Sequence, residues 1–284
     1  MAFGRMQRLP CFAAIPRKLA NSGSKQRPAK VSTGSQHLPN TARLSQALQA
    51  LFPTGVAVAE MREPGDVSQL LPGEADTLTR AVPKRIGEFV AGRLSARRAL
   101  AEFGIRNFAL RVSQDRTPEW PASVVGSISH TAGMYLAAVA AKSQVAALGI
   151  DCEVVGHVSA EIWPTICGAT EYKWLDSLPA RERPAAVTLI FAAKEAFYKC
   201  QYPLTREWLD FEDLHVRVDA WGPCRSLYEI HACRPLAVAN LMSLPLTGAY
   251  LFQDGFVTAG VAMLRADLTR DSAPDQSARE SPRR

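Results

Sequence analysis

The pattern of apolar and polar residues along the chain predicts an α+β protein. Short runs of β-branched and small apolar residues, typical of strands, are interspersed with longer runs of helical spacing. The predicted strands are 55–61, 110–112, 126–129, 134–141, 145–155, 215–218, 226–232, 249–252 and 256–263, and the predicted helices are 41–51, 83–103, 169–178 and 185–199. Because they alternate without one long doubly wound pattern, we expect an α+β fold with two small sheets.

The longest predicted helix, 83–103, begins at Pro83 and ends before Gly104, residue types that favour those two ends. Its apolar residues fall in one sector of the helix. Arg93 and Arg97 lie in that same sector, where an unpaired guanidinium would cost several kcal/mol. Three interpretations remain for them: an ion pair with a buried carboxylate, snorkelling at the rim of the core, or contact with a bound phosphate.

Two short segments carry acidic residues in a pattern that predicts a divalent metal site. In GIDCE (149–153), at the end of a predicted buried strand, Asp151 and Glu153 are two residues apart and leave the same face. In FAAKEAFYK, Glu195 lies one helical turn before Lys199. Neighbouring carboxylates repel one another unless a cation lies among them, and Mg²⁺ prefers oxygen ligands. The alternative is a network of ion pairs in which Glu195 pairs with Lys199.

Composition and charge narrow the class of protein. The 284 residues, 47% apolar and 21% charged, indicate a soluble globular protein of one large or two modest domains. The net charge of +6 comes from the first 59 residues, which contain eight Lys and Arg and no acid. In the rest of the chain 25 basic residues face 27 acidic ones, so the charge does not favour nucleic-acid binding.

The two ends of the chain are predicted to lie outside the globular part. The basic segment 1–45 is interpreted as a disordered leader, a translation start assigned too early or a transit peptide, and the polar segment 269–284 as a disordered tail. The predicted N-terminal half is 46–147 and the C-terminal half 148–268. No apolar run reaches the roughly 20 residues of a membrane helix. Six cysteines without a Cys-x-x-Cys pair favour reduced thiols in a cytoplasmic protein over a zinc site.

The acidic segments resemble the paired signature of the 4′-phosphopantetheinyl transferases, Gly-Ile-Asp-x-Glu followed by Phe-x-x-Lys-Glu-Ala-x-Tyr-Lys. Further matching pieces occur in the same order: Lys-Arg through Glu-Phe at 84–89, Gly-Arg with Ala-Arg at 92–97, Trp-Pro at 120–121, GSISHT at 126–131 and WLDF at 208–211. The resemblance covers residues 51–264. It points to the branch typified by the enterobactin synthetase component (EntD-like) and the Sfp-type enzymes.

The resemblance implies a fold and an activity. The fold would consist of two similar α/β halves related by a pseudo-twofold axis, with the active site at their interface. The enzyme would transfer the 4′-phosphopantetheine group of coenzyme A to a serine of an apo carrier protein, acyl, aryl or peptidyl, and release 3′,5′-ADP with the help of Mg²⁺ or Mn²⁺. The implied partners are carrier proteins of siderophore, nonribosomal peptide, polyketide or fatty-acid synthesis, and the expected enzyme is a cytoplasmic monomer.

The resemblance also assigns roles to residues. Asp151, Glu153 and Glu195 are expected to hold the metal, and Glu195 is the expected general base, directly or through a metal-bound water. Lys199 is expected to act in catalysis and to contact the phosphates of coenzyme A. The other expected coenzyme A contacts are Arg85 (with Lys84 as its alternative), Arg93, Arg116, Ser129, His130 and Lys194.

Three basic residues between the acidic segments, Lys173, Arg181 and Arg183, suggest a docking surface for an acidic helix of the carrier. The alternative is a solvated helix and loop.

Two other functions compete with the transferase. A coenzyme A- or nucleotide-binding protein without catalysis would not require the full set of acidic residues and Lys199. A serine hydrolase built from Ser127 or Ser129 with His130 and Asp151 lacks the Gly-x-Ser-x-Gly turn.

Overall fold

The structure is a computed structural model that describes residues 46–222 and 225–268. The expectations for the leader 1–45 and the tail 269–284 lie outside this part of the chain, as does the first half of the predicted helix 41–51. Residues 46–49 form one helical turn. In the part that the structure describes, no helix is both long and apolar enough to cross a membrane.

A three-stranded antiparallel sheet and one long helix form the N-terminal part. The sheet has the order β1-β3-β2, with β1 at Val56–Met61, β2 at Val124–Thr131 and β3 at Met134–Ala141. Helix α1 (Pro83–Ala101) packs on one face, where its Leu100 meets Val139 of β3. The helix ends before Gly104, whose φ of +72° is easily adopted by glycine.

A five-stranded antiparallel sheet forms the C-terminal part, with the order β4-β8-β7-β6-β5. Its strands are β4 (Val145–Val154), β5 (Leu214–Val218), β6 (Ser226–Ala232), β7 (Leu246–Gln253) and β8 (Phe256–Leu264). Three helices precede β5: α2 (Trp163–Ile166), α3 (Ala169–Ser177) and α4 (Arg183–Thr205). Helix α4 packs on the sheet, and Phe197 lies with Tyr228 and Tyr250 in the largest apolar core.

The predicted α+β class with two small sheets is confirmed. Strands β3 and β6 have the predicted bounds, whereas 110–112 forms only an isolated bridge from Val112 to Pro118, because a run of three residues between loops is too short to support a ladder. Helix α4 runs past its predicted end, through Pro203, since the buried residues beyond Lys199 continue its packing face. The predicted boundary at 147/148 falls inside β4. The pseudo-twofold relation stays a prediction.

The two sheets meet at the edge strands β2 and β4. The hydroxyl of Ser127 accepts a hydrogen bond from the backbone N–H of Ile150 (3.2 Å), and that of Ser129 accepts one from the N–H of Cys152 (3.2 Å). These N–H groups lie on an edge strand, where backbone donors need partners from outside the sheet. Serine side chains therefore join the sheets where a backbone ladder is absent. We call these contacts the hydroxyl seam.

Candidate active site

Glycine at position 149 allows α4 to lie directly on β4. A Cβ atom at Gly149 would come within 1.8 Å of the carbonyl oxygen of Ala196 and 2.9 Å of the backbone nitrogen of Cys200. Any side chain there would push the helix away from the strand. This close approach brings Glu195 and Lys199 of α4 next to the acidic end of β4.

Asp151 lies at the centre of this junction. Its Oδ1 accepts hydrogen bonds from the Ser129 hydroxyl (2.8 Å) and from Lys199 Nζ (2.6 Å). Lys199 also donates to the carbonyl oxygen of Ile150 (3.3 Å). The other carboxylate oxygen, Oδ2, is buried and has no hydrogen-bond partner among the described residues. Such an atom is costly unless it gains a ligand.

The other two acidic residues of the predicted metal set lie in the same electrostatic environment. Burial, together with the charges of Asp151 and Glu195 and against the opposing charge of Lys199, raises the pKa of Glu153 to about 8. Burial and the charge of Asp151, again opposed by Lys199, raise the pKa of Glu195 to about 7. The structure therefore brings Asp151, Glu153, Glu195 and Lys199 together. The middle residue, Cys152, is fully buried as a packing residue.

The chemistry of this cluster suits a hard divalent cation. Three carboxylates offer oxygen ligands, and Oδ2 of Asp151 has no hydrogen-bond partner among the described residues. Burial and the neighbouring negative charges disfavour the ionised forms of Glu153 and Glu195 unless positive charge is added. Within 46–222 and 225–268, however, no three His, Cys, Asp or Glu side chains are placed so that they could hold a metal ion. Lys199 supplies the positive charge at Asp151. Metal binding therefore requires side chains of the cluster to change conformation.

A basic pair lies beside the carboxylates. Arg85 of α1 donates from Nη1 to Nε2 of His130 at 2.9 Å, which places the proton of the neutral ring on Nδ1. Burial and, to a smaller extent, the positive charges of Arg85 and Lys199 lower the pKa of His130 to about 3. His130 is thus a neutral hydrogen-bond donor, and Arg85 carries the charge of the pair.

The two arginines of the apolar sector of α1 have different surroundings. Arg97 donates twice to the buried carboxylate of Glu74 (2.9 and 2.8 Å), so the ion-pair interpretation is right for Arg97. Arg93 is fully buried; its Nε donates to the carbonyl oxygen of Leu110 (2.9 Å) and its guanidinium lies 4.0 Å from the centre of the Phe89 ring. Burial lowers its pKa to about 10. A contact of Arg93 with phosphate stays a prediction.

Contrary to the prediction, the structure does not place Lys194 with the coenzyme A contacts. Its ammonium group is fully buried and donates to Glu171 Oε2 (2.8 Å) and to the carbonyl oxygens of Ile166 (2.7 Å) and Phe211 (3.0 Å). An ammonium group has three donors, so none is left for a phosphate. Lys194 is adjacent to Glu195 in sequence, but successive residues of a helix point about 100° apart. We therefore leave Lys194 out of the site.

Two further expected contacts are also changed or left open. The hydroxyl of Ser129 is occupied by Asp151 and the N–H of Cys152, so only its backbone remains available to a ligand. Arg116 is exposed, with a φ of +67°, in the turn 113–117. Its role near the adenine stays a prediction.

Sequence reasoning missed the hydroxyl seam. The sequence does contain a pattern that indicates a hydroxyl-bearing face, because Ser127, Ser129 and Thr131 alternate along β2 and alternating residues share one face of a strand. Thr131 extends the series with a long contact, 3.4 Å, to Glu153 Oε2. Nothing in the sequence indicated that this face meets β4.

Comparisons with known proteins place both parts of the chain in one family. The family model "4'-phosphopantetheinyl transferase N-terminal domain" matches residues 73–140, and the model "4'-phosphopantetheinyl transferase superfamily" matches 147–239. The 4'-phosphopantetheinyl transferase Svp of Streptomyces mobaraensis is 34% identical over 218 residues, which cover 76% of this chain and 87% of Svp. Npt of Nocardia iowensis is 36% identical over 224 residues, covering 76% of this chain and 99% of Npt.

A shorter match reaches the predicted branch. Enterobactin synthase component D of Salmonella typhi is 38% identical over 128 residues, covering 44% of this chain and 51% of that protein. The predicted resemblance and the predicted enzyme class are thereby confirmed. The chain belongs to the 4′-phosphopantetheinyl transferase superfamily, in the branch that includes enterobactin synthase component D.

Proposed function

We propose that this enzyme transfers the 4′-phosphopantetheine group of coenzyme A to a serine of an apo carrier protein. The observation that carries the proposal is the environment of Asp151. Its carboxylate is buried and accepts hydrogen bonds from Ser129 and Lys199 through Oδ1, while Oδ2 has no hydrogen-bond partner in 46–222 and 225–268. In a family of transferases that act on a pyrophosphate, such a carboxylate is best explained as a cation ligand.

In the proposed reaction the serine oxygen of the carrier forms a bond to the β-phosphorus of coenzyme A. The bond from that phosphorus to the bridging oxygen breaks, and 3′,5′-ADP leaves with the bonding electrons. Glu195 is the proposed acceptor of the serine proton, because a carboxylate in the cluster beside the reacting phosphate can act as a general base. Lys199 is a fixed positive charge beside the reacting phosphates.

The metal is part of the proposal. Asp151, Glu153 and Glu195 are the residues that would hold Mg²⁺ or Mn²⁺, which when bound neutralises charge on the pyrophosphate. Arg85 and the Nδ1–H of His130 are suited to another phosphate group of coenzyme A, because a charged fork and a neutral donor lie side by side. Arg93, Arg116 and the backbone of Ser129 remain further candidates for coenzyme A contacts.

The carrier is proposed to come from siderophore, nonribosomal peptide, polyketide or fatty-acid synthesis. Of the three docking residues, Arg183 already pairs with Asp176 (3.2 Å) and Arg181 with Glu182 (3.7 Å). Such pairs on the surface are weak and exchange readily with an incoming acidic partner. The expectation of a cytoplasmic monomer belongs to the same proposal.

The direct test is to incubate the enzyme with coenzyme A, Mg²⁺ and a panel of apo acyl, aryl and peptidyl carriers. We expect intact mass spectrometry to show the phosphopantetheine adduct on at least one carrier. Asp151→Ala should abolish the adduct while the circular dichroism spectrum stays that of the wild type. Coenzyme A binding by calorimetry without any adduct across the panel would favour the binding protein without catalysis and overturn the proposal.

A further inference from the structure

The hydroxyl of Ser129 makes two hydrogen bonds to consecutive residues of the other sheet. Its oxygen accepts from the backbone N–H of Cys152 (3.2 Å), and its hydrogen is donated to Oδ1 of Asp151 (2.8 Å). The side chain is only 3% exposed. A serine hydroxyl has a single donor, so the bond from Cys152 leaves that donor for the carboxylate. Ser129 therefore fixes Asp151 relative to the backbone of its own strand.

This arrangement fixes the direction in which the other carboxylate oxygen points. Ser129 and Lys199 both bind Oδ1, and no described residue binds Oδ2. Without the serine, the Asp151 carboxylate could rotate about its last side-chain bond at the cost of the Lys199 bond alone, and Oδ2 would no longer point in its present direction. With the serine in place, two donors hold the same oxygen, so both hydrogen bonds have to break before the carboxylate can rotate.

We propose that Ser129 is a positioning residue that holds the Asp151 carboxylate with Oδ2 free for the metal ion. The inference rests on the proposed function, since it concerns the metal of that site. It adds that the metal affinity depends on contact between the sheets, because Ser129 belongs to β2 and Asp151 to β4. The side chain of Ser129 would then act through Asp151 without itself contacting substrate.

Ser127 provides a matched control on the same strand. It faces β4 as Ser129 does, is similarly buried at 5% exposure, and accepts from the N–H of Ile150 at the same 3.2 Å. Ser127 makes no hydrogen bond to a carboxylate among the described residues. Replacing either serine by alanine removes one bond of the hydroxyl seam, but only Ser129→Ala removes a bond to Asp151.

The experiment measures Mn²⁺ binding to the wild type, Ser127→Ala and Ser129→Ala by electron paramagnetic resonance, in the presence of saturating coenzyme A. Removing a hydrogen bond to a metal ligand typically weakens metal binding about 10- to 100-fold. We expect that loss in Ser129→Ala and none in Ser127→Ala. In transfer assays the half-saturating Mg²⁺ concentration should rise for Ser129→Ala while the KM for coenzyme A stays unchanged. Urea unfolding should show similar losses of stability in both variants.

The outcomes separate the inference from the proposed function. If the wild type modifies a carrier and Ser129→Ala binds Mn²⁺ as tightly as Ser127→Ala, the positioning role is wrong and the transferase stands. Equal weakening in both variants also overturns it, because the effect would then follow from the seam and not from Asp151. If the wild type modifies no carrier, the proposed function itself fails.

Discussion

Among single side chains, Lys194 and Lys199 of α4 are only five positions apart and have different surroundings: Lys194 is buried and Lys199 is partly buried. Lys194 donates three hydrogen bonds, to Glu171 and to two carbonyl oxygens, whereas Lys199 donates to Asp151 in the carboxylate cluster. The first pair lies deep in the C-terminal core, and Glu171 in turn accepts from the backbone N–H of Val216 (2.8 Å). Lys194 therefore stabilises the fold, whereas Lys199 is the lysine of the proposed reaction.

Replacing each lysine by methionine should separate these roles. Lys194→Met leaves the Glu171 carboxylate buried without its partner and should cost about 3–5 kcal/mol of unfolding free energy. Lys199→Met should abolish transfer with a much smaller change in stability. Urea unfolding and the carrier-modification assay measure the two effects. A stable Lys194→Met enzyme with lost coenzyme A binding would return Lys194 to the phosphate site.

His130 predicts a pH dependence of stability. Its pKa is lowered from 6.5 to about 3 on folding, so below pH 6.5 the unfolded chain binds a proton that the folded chain does not. Its contribution to the free energy of unfolding therefore falls as pH decreases from 6.5 towards 3, by up to about 1.4 kcal/mol per pH unit. His130→Gln should remove this slope. The check is urea unfolding of both proteins at pH 7, 6, 5 and 4; parallel curves would contradict the pKa shift.

Among the elements, the contact of α4 with β4 is what places the acidic residues together. The strand and helix themselves were predictable, because an apolar run with alternating acids and a helical spacing of Glu195 and Lys199 are local patterns. Their direct contact at Gly149 was not, since it depends on residues far apart in the sequence. The same limit explains Lys194 and Arg97, whose partners Glu171 and Glu74 lie 23 residues away in each case.

Gly149→Ala tests this contact. The added methyl group would meet the backbone of Ala196, which cannot rotate away, so α4 has to move from β4. We expect a loss of about 1–3 kcal/mol in unfolding free energy and a large loss of transfer. The control is Gly168→Ala, in which the added Cβ would lie at an ordinary contact distance of 3.7 Å from Glu171 Oε2. This substitution should lower the unfolding free energy by about 1 kcal/mol or less. Equal stability of the two variants would contradict the close approach.

In the whole molecule, the proposed function puts binding of the carrier and binding of coenzyme A on different surfaces. Coenzyme A is proposed to bind at the junction of the two sheets, with Arg85 and His130, and the carrier at α3 and the start of α4. Such a separation predicts that changing the surface charge at α3 and the start of α4 alters binding of the carrier and not binding of coenzyme A.

Reversal of the three docking charges, Lys173→Glu, Arg181→Glu and Arg183→Glu together, should raise the KM for an acidic carrier and leave that for coenzyme A unchanged. The effect should shrink at high salt, because charges at the surface are screened. A control with the same change in net charge reverses three exposed arginines of the N-terminal part, Arg80, Arg106 and Arg111. Equal effects of both triple variants, or equal changes in both KM values, would exclude a docking role.

The order of the strands has one more consequence. Every described strand of the three-stranded sheet precedes residue 142 and every described strand of the five-stranded sheet follows residue 144, so the described backbone passes from one sheet to the other at 142–144. A polypeptide cleaved at that turn keeps all the paired strands of each sheet together and loses only the covalent connection between the two sheets. Co-expressed as two fragments, such halves would recover transfer by reassociation. The serine contacts, together with the apolar core that β3 shares with β4, would then set the concentration at which they do so.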